Sequence, residues 1–235
     1  MTKAKIFAID GLRIESDGEG IRSLVCFAGC PLKCKYCINK KMMKGNDMKE
    51  YTPLDLLVEL MKYDAYFKGS DGGVTFGGGE PALQSEFIKE FKSICPPDWH
   101  IDIETSLNVP RGHVETLADI IGVWHVDIKD MNPEIYKKYT KSNNRLVLEN
   151  LRYLIDRGLA DRIHVRVPSI PEYNRESDVE KSCQILTEMG LSKIEMFPYV
   201  MLDKWGDRVQ EGCPYFGDDD LLGDLDPGNT KGFVG

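Results

Sequence analysis

The chain has 235 residues, 42% of them hydrophobic and 29% charged, which is enough to bury a sizeable core in one α/β domain. Thirty Lys and Arg against 38 Asp and Glu give a formal charge of −8 and a pI near 5.1, excluding a broad basic nucleic-acid footprint and a polybasic membrane patch. There is neither a signal-peptide pattern nor an apolar run long enough to span a bilayer, so a soluble cytoplasmic protein is expected, with a monomer as the default.

In chain order, extended sequence over 3–15 precedes a series of strand-plus-helix units. Strands are predicted at 23–29, 73–76, 101–105, 123–129, 162–167 and 193–199, and helices at 53–67, 85–94, 114–121, 133–139, 145–157 and 176–189. Parallel strands need helical crossovers, so six such units predict a parallel sheet curled into a partial (β/α)6 barrel. Residues 1–235 read as one domain, with its core at about 11–200 and an acidic, Gly-rich tail at 203–235.

Polar residues recur with period two in the strands: Asp102 and Glu104, then His125, Asp127 and Lys129, then His164 and Arg166. Their alternate neighbours are apolar. One face would therefore meet the helices while the other lines a polar lumen; a solvent-facing side is the competing reading.

Cys30, Cys34 and Cys37 form a C-x3-C-x2-C set just after the first of the six strands. Three thiolates in one loop can each bind one iron of a cubane and leave the fourth iron open to a small molecule. A structural zinc would want a fourth Cys or His nearby, and no His lies between Cys37 and His100; zinc and unligated thiols stay open as alternatives. Cys26, inside an apolar run, reads as a small buried hydrophobe.

This cysteine motif, with Tyr36 in its second-last place, resembles the signature of the radical S-adenosylmethionine (SAM) superfamily. Asp17-Gly18-Glu19-Gly20-Ile21-Arg22, Gly77-Gly78-Gly79-Glu80-Pro81 and Asp127-Ile128-Lys129 resemble its glycyl-radical-enzyme activating enzymes, above all the pyruvate formate-lyase type. The resemblance implies a [4Fe-4S] cluster on Cys30, Cys34 and Cys37, with S-adenosylmethionine chelating the open iron. It puts Gly78, Gly79 and Glu80 at the methionyl amine, Tyr36 and Asn39 beside the adenine, and Glu104, Thr105 and Asp127 around the carboxylate, where a monovalent cation is allowed. Lys129 and Arg166 would wall the lumen; a structural salt-bridge network among Glu104, Asp127, Lys129 and Arg166 is the competing reading, and network and ligand site can coincide. Asp17 would hold the partner's glycine loop, with Arg22 beside it.

The implied reaction is formation of a 5′-deoxyadenosyl radical that abstracts hydrogen from a backbone glycine of a partner glycyl radical enzyme, after a flavodoxin or ferredoxin supplies the electron. Modification of a ribosomal peptide or small molecule, and a noncatalytic zinc module, are the alternatives. The sequence departs from the resemblance at Glu19, where many relatives have Pro, and at Ile38 and Val200, where His is expected; these changes bear on the partner's identity.

Overall fold

The computed structural model describes residues 2–14, 18–45 and 48–198, with two short strands at 201–202 and 208–209. Strand β1 (Ala4–Ile14) runs antiparallel to β2 (Ile21–Phe27), and a three-residue strand β3 (Lys49–Tyr51) pairs with the outer edge of β1. Helix α1 (Pro53–Leu60) starts on a reciprocal cap: the Thr52 hydroxyl accepts from Asp55 N, and the Asp55 carboxylate accepts from Thr52 N. A 3₁₀ turn at Met61–Tyr63 separates it from α2 (Asp64–Ser70), so the single helix expected over 53–67 is broken in two.

Strand β4 (Gly73–Gly78) leads into α3 (Ser85–Ile94), β5 (His100–Thr105) into α4 (Arg111–Leu117), and β6 (Trp124–Asp127) into α5 (Pro133–Thr140) and α6 (Arg145–Asp156). Strand β7 (Ile163–Ser169) leads into α7 (Glu176–Glu188), and β8 (Lys193–Pro198) ends the eight-stranded sheet. A separate antiparallel pair joins β9 (Met201–Leu202) to β10 (Arg208–Val209).

The sheet order is β3-β1-β2-β4-β5-β6-β7-β8, with every pairing from β2 to β8 parallel. It is open rather than closed: a six-stranded parallel partial barrel extended at one edge by β1 and β3. The sequence 3–15, read as chain ahead of the barrel, is thus a strand of the same sheet, and β3 was not foreseen because three residues carry no usable alternation. Helix α4 begins three residues earlier than expected, on Pro110 and Arg111.

Packing follows the alternation. Phe27 stacks on Phe76 at 5.4 Å, and Phe91 of α3 meets Phe76 edge-on at 5.6 Å. All three rings are buried, each stabilising the fold by about 1.5–3 kcal/mol before its ordering cost. Asn132 caps α5, accepting from Glu134 N and Ile135 N ahead of Pro133. Among the described residues no helix is long and apolar enough to cross a membrane.

Candidate active site

Parallel strands share a direction, so their C-terminal ends form one mouth of the barrel, and the cysteine loop leaves β2 at that mouth. Cys30 and Cys34 are partly buried and pack on the core, while Cys26 is 7% exposed, as expected for a buried hydrophobe. Burial pushes the Cys30 thiol up to about 12, and Glu80, Cys34 and Cys37 add to the rise. Burial likewise pushes Cys34 up to about 11, against the pull of Lys129. Left alone these thiols stay protonated; a bound cation of high charge is what would favour three neighbouring thiolates.

No three His, Cys, Asp or Glu among the described residues gather closely enough to share a single ion. What the loop supplies is three soft sulfur donors, Cys30, Cys34 and Cys37, a donor chemistry that suits the irons of an iron–sulfur cluster.

The glycine turn after β4 is stitched to this loop. Gly79 N donates to Phe27 O at 2.8 Å, Glu80 N to Gly29 O at 2.8 Å, and the Asn39 amide to Gly78 O at 2.7 Å. Gly78 has φ +93°, and a Cβ there would stand 2.8 Å from the Cys26 backbone; one on Gly79 would collide with Gly29 O. Only glycine permits this approach.

Glu80 is 1% exposed, and its carboxylate faces inward. One oxygen accepts from Thr105 Oγ1 at 2.5 Å and Ala82 N at 3.2 Å, the other from Ser106 N at 2.9 Å and Ser106 Oγ at 2.6 Å. These four bonds use the roughly four acceptor positions of a carboxylate. Burial raises its pKa even so, with the Ser106 and Thr105 bonds opposing. Sequence reasoning placed Glu80 at an ammonium and Thr105 at a carboxylate; the structure joins the two to each other and adds Ser106, which only its place beside Thr105 could have flagged.

Glu104, Asp127, Lys129 and Arg166 are brought together. Arg166 Nε donates to Asp127 at 2.7 Å and Nη1 to Glu104 at 2.8 Å, while Lys129 Nζ meets the other Asp127 oxygen at 2.9 Å. Burial by itself would raise the Asp127 carboxyl, but Lys129 and Arg166 outweigh it and hold it below the usual range. Arg166 rises in turn, since Asp127 and Glu104 overcome the burial that disfavours its charge. Strand β6 ends at Asp127, so Lys129 lies beyond it, and the ion pair rather than a shared strand face brings the two together.

Tyr36 meets Glu172 and two tyrosines. Its hydroxyl donates to Glu172 at 2.8 Å, and its ring lies 5.9 Å from Tyr173 and 6.3 Å from Tyr139. Glu172 is 136 residues distant in the chain and has φ +67°, so no local spacing could have revealed it.

At the opposite mouth, a cavity of about 820 Å³ is lined by Arg22, His100, Asp102, His125, His164 and Arg166, among others. Arg22 meets Asp102 at 2.8 Å and is 2% exposed. Of the four charged residues joined above, Arg166 is the one that also lines this cavity. Asp17 and Val200 lie outside the described residues.

Residues 24–185 match the Radical SAM superfamily. The chain belongs to that superfamily. It is 31% identical over 193 residues to the pyruvate formate-lyase 1-activating enzyme of Escherichia coli K12, covering 80% of this chain and 78% of the relative. It is 32% identical over 202 residues to the pyruvate formate-lyase-activating enzyme of Clostridium pasteurianum, covering 85% and 83%. Among solved structures, Streptococcus suis SuiB bound to S-adenosylmethionine superposes with a TM-score of 0.60 at 15% identity, covering 77% of this chain but only 41% of SuiB. That likeness shows the radical SAM fold alone; the activating enzymes supply the sequence kinship.

Proposed function

We propose that this radical SAM chain is an activating enzyme that takes a hydrogen atom from a backbone glycine of a partner glycyl radical enzyme. The observation that carries the reading is the union of the three-thiol loop with the glycine turn through Asn39, Gly29 and Phe27. One unit offers both a cluster's ligands and a side-chain-free edge beside them.

Cys30, Cys34 and Cys37 would hold the cluster, which with S-adenosylmethionine supplies the reductive cleavage that yields methionine and the hydrogen-abstracting 5′-deoxyadenosyl group. Since the Glu80 carboxylate is saturated, the Gly78–Gly79 backbone serves the methionyl amine, and Glu80 fixes that backbone from behind. The Glu104–Arg166–Asp127–Lys129 network orients the remaining polar groups by charge, and Tyr36 flanks the adenine. No side chain need move a proton: the protein positions the reactants and excludes water. Asp17 would engage the partner's loop.

Anaerobically reconstituted protein given dithionite and S-adenosylmethionine should release 5′-deoxyadenosine, and Cys34→Ala should release none. Incubation with the partner should produce the electron paramagnetic resonance doublet of an α-carbon glycyl radical. Wild-type protein that carries iron yet forms no 5′-deoxyadenosine would sink the reading.

A further inference from the structure

The chain carries −8 overall, yet residues 28–49 hold six lysines and a single acid, Asp47. Lys33, Lys41 and Lys44 are exposed and Lys35 and Lys40 half-buried, all within seven residues of a motif cysteine. Helix α5 continues the patch. Lys33 N donates to Thr140 O at 2.9 Å, and Tyr36 packs near Tyr139, so the C-terminal end of α5 lies against the cysteine loop. There Lys137, Lys138 and Lys141 are all exposed. Two of these lysines are tied down: Lys138 Nζ stands 5.2 Å from the Tyr173 ring centre, and Lys141 Nζ donates to Lys138 O at 3.0 Å. The acids beside the patch are Glu134, at the far end of α5, and Glu172, which accepts from Tyr36.

We propose that this lysine collar is the docking surface for an acidic, low-potential electron-donor protein; the inference rests on the reading of the thiol loop as a cluster site. The donor, carrying a reduced flavin or iron–sulfur group, loses one electron, and the cluster on Cys30, Cys34 and Cys37 gains it; no proton or other group moves. Charge selects both partner and pose. An acidic protein is repelled by the net charge of −8 and attracted where the lysines cluster on and beside the cysteine loop, so encounter is oriented toward the site of electron entry. A nucleic acid, with far denser negative charge, meets the same repulsion and carries no redox group that could pass an electron to the site.

The test uses iron-loaded protein, with an acidic flavodoxin as the probe and basic cytochrome c as the control, followed by interferometry at low and high salt. Wild type should bind flavodoxin and lose it as salt rises, whereas any binding of cytochrome c to the acidic remainder of the surface should be left unweakened by the lysine substitutions. The combined Lys41→Glu, Lys44→Glu and Lys137→Glu variant should bind at least about tenfold more weakly, and flavodoxin-driven cluster reduction at subsaturating donor should slow by a similar factor. Reduction by dithionite should be unchanged. Lys→Gln at the same three positions gives a milder loss and serves if the Glu variant folds poorly.

Unchanged flavodoxin affinity in the variants overturns the proposal, as does tighter binding of a single-stranded oligonucleotide than of flavodoxin at equal salt. If dithionite elicits no 5′-deoxyadenosine from wild type, the functional reading fails instead, and the binding measurement still decides the docking surface.

Discussion

Glu172 is a non-glycine residue in the left-handed region, and its carboxylate is the acceptor for Tyr36 in the middle of the cysteine motif. That backbone costs a residue with a Cβ about 1–2 kcal/mol, part of which glycine would return through its freer unfolded state. Glu172→Gly should therefore leave stability unchanged or raise it by up to about 1 kcal/mol, while freeing Tyr36 and weakening S-adenosylmethionine binding several-fold. Thermal unfolding together with calorimetric titration of the cosubstrate reads both; a parallel fall in stability and affinity would reduce Glu172 to packing.

His125 makes a second test at this scale. It is 9% exposed, and its Nε2 is buried without a hydrogen-bond partner. Burial, then Arg166, His164 and Arg22, push its pKa down to about 4, with Asp127 opposing. Well above pH 6.5, from about pH 7.5, the imidazole is neutral in both folded and unfolded chains and contributes no pH dependence. As pH falls from there to about 4 the unfolded chain takes the proton first, so stability is lost across that window, by roughly 3 kcal/mol. His125→Phe should flatten that part of a urea-denaturation profile and cost little at pH 7.5, because it also removes an unsatisfied buried nitrogen.

Among elements, the turn between β4 and α3 decides whether the thiol loop can form. A Cβ on Gly79 would strike the Gly29 carbonyl and come within 2.9 Å of Met43 Sδ, and that carbonyl oxygen is tied to Glu80 N at 2.8 Å. Gly79→Ala should thus sharply lower iron content after reconstitution. Gly112→Ala, in α4 with nothing within 4 Å of the new Cβ, should reconstitute fully and gain up to about 1 kcal/mol from helix propensity. Equal iron loading in both would show that the turn tolerates a side chain. Glu80→Ala would orphan the Thr105 and Ser106 hydroxyls and two backbone N–H groups, at a cost of about 3 kcal/mol or more in denaturant unfolding.

Legibility in the sequence also divides at this scale. The six parallel strands and the cysteine loop were readable because period-two alternation and fixed cysteine spacing are local signals. The Glu80–Ser106 staple, the Glu172–Tyr36 contact and strand β3 were not. The first two join residues far apart in the chain whose meeting depends on the tertiary fold, and the third is too short to show a period.

Over the whole molecule, one buried cation ties the sheet together at the mouth away from the thiols. Arg22 donates from Nε to Thr75 Oγ1 at 2.8 Å, from Nη2 to the carbonyls of Val74 and His100 at 3.3 Å, and meets Asp102 at 2.8 Å. It thereby spans β2, β4 and β5, and through Glu19 O it also holds the segment that precedes β2. Burial raises the Asp102 carboxyl above its ordinary range despite the opposing pull of Arg22. Arg22→Met should cost about 3–5 kcal/mol at pH 7.5, because it strands a buried carboxylate. A carboxyl with a raised folded pKa is destabilising while ionised, and the penalty is relieved as pH falls through that pKa. Without Arg22 the pKa climbs further, so the deficit against wild type should shrink between pH 7.5 and pH 5, and adding Asp102→Asn to Arg22→Met should restore much of the loss at pH 7.5. Urea denaturation of the single and double variants at both pH values measures this. A deficit that is independent of pH and untouched by Asp102→Asn would mean that the hydrogen bonds to Thr75, Val74 and His100, not the charge on Asp102, are what Arg22 contributes to the barrel.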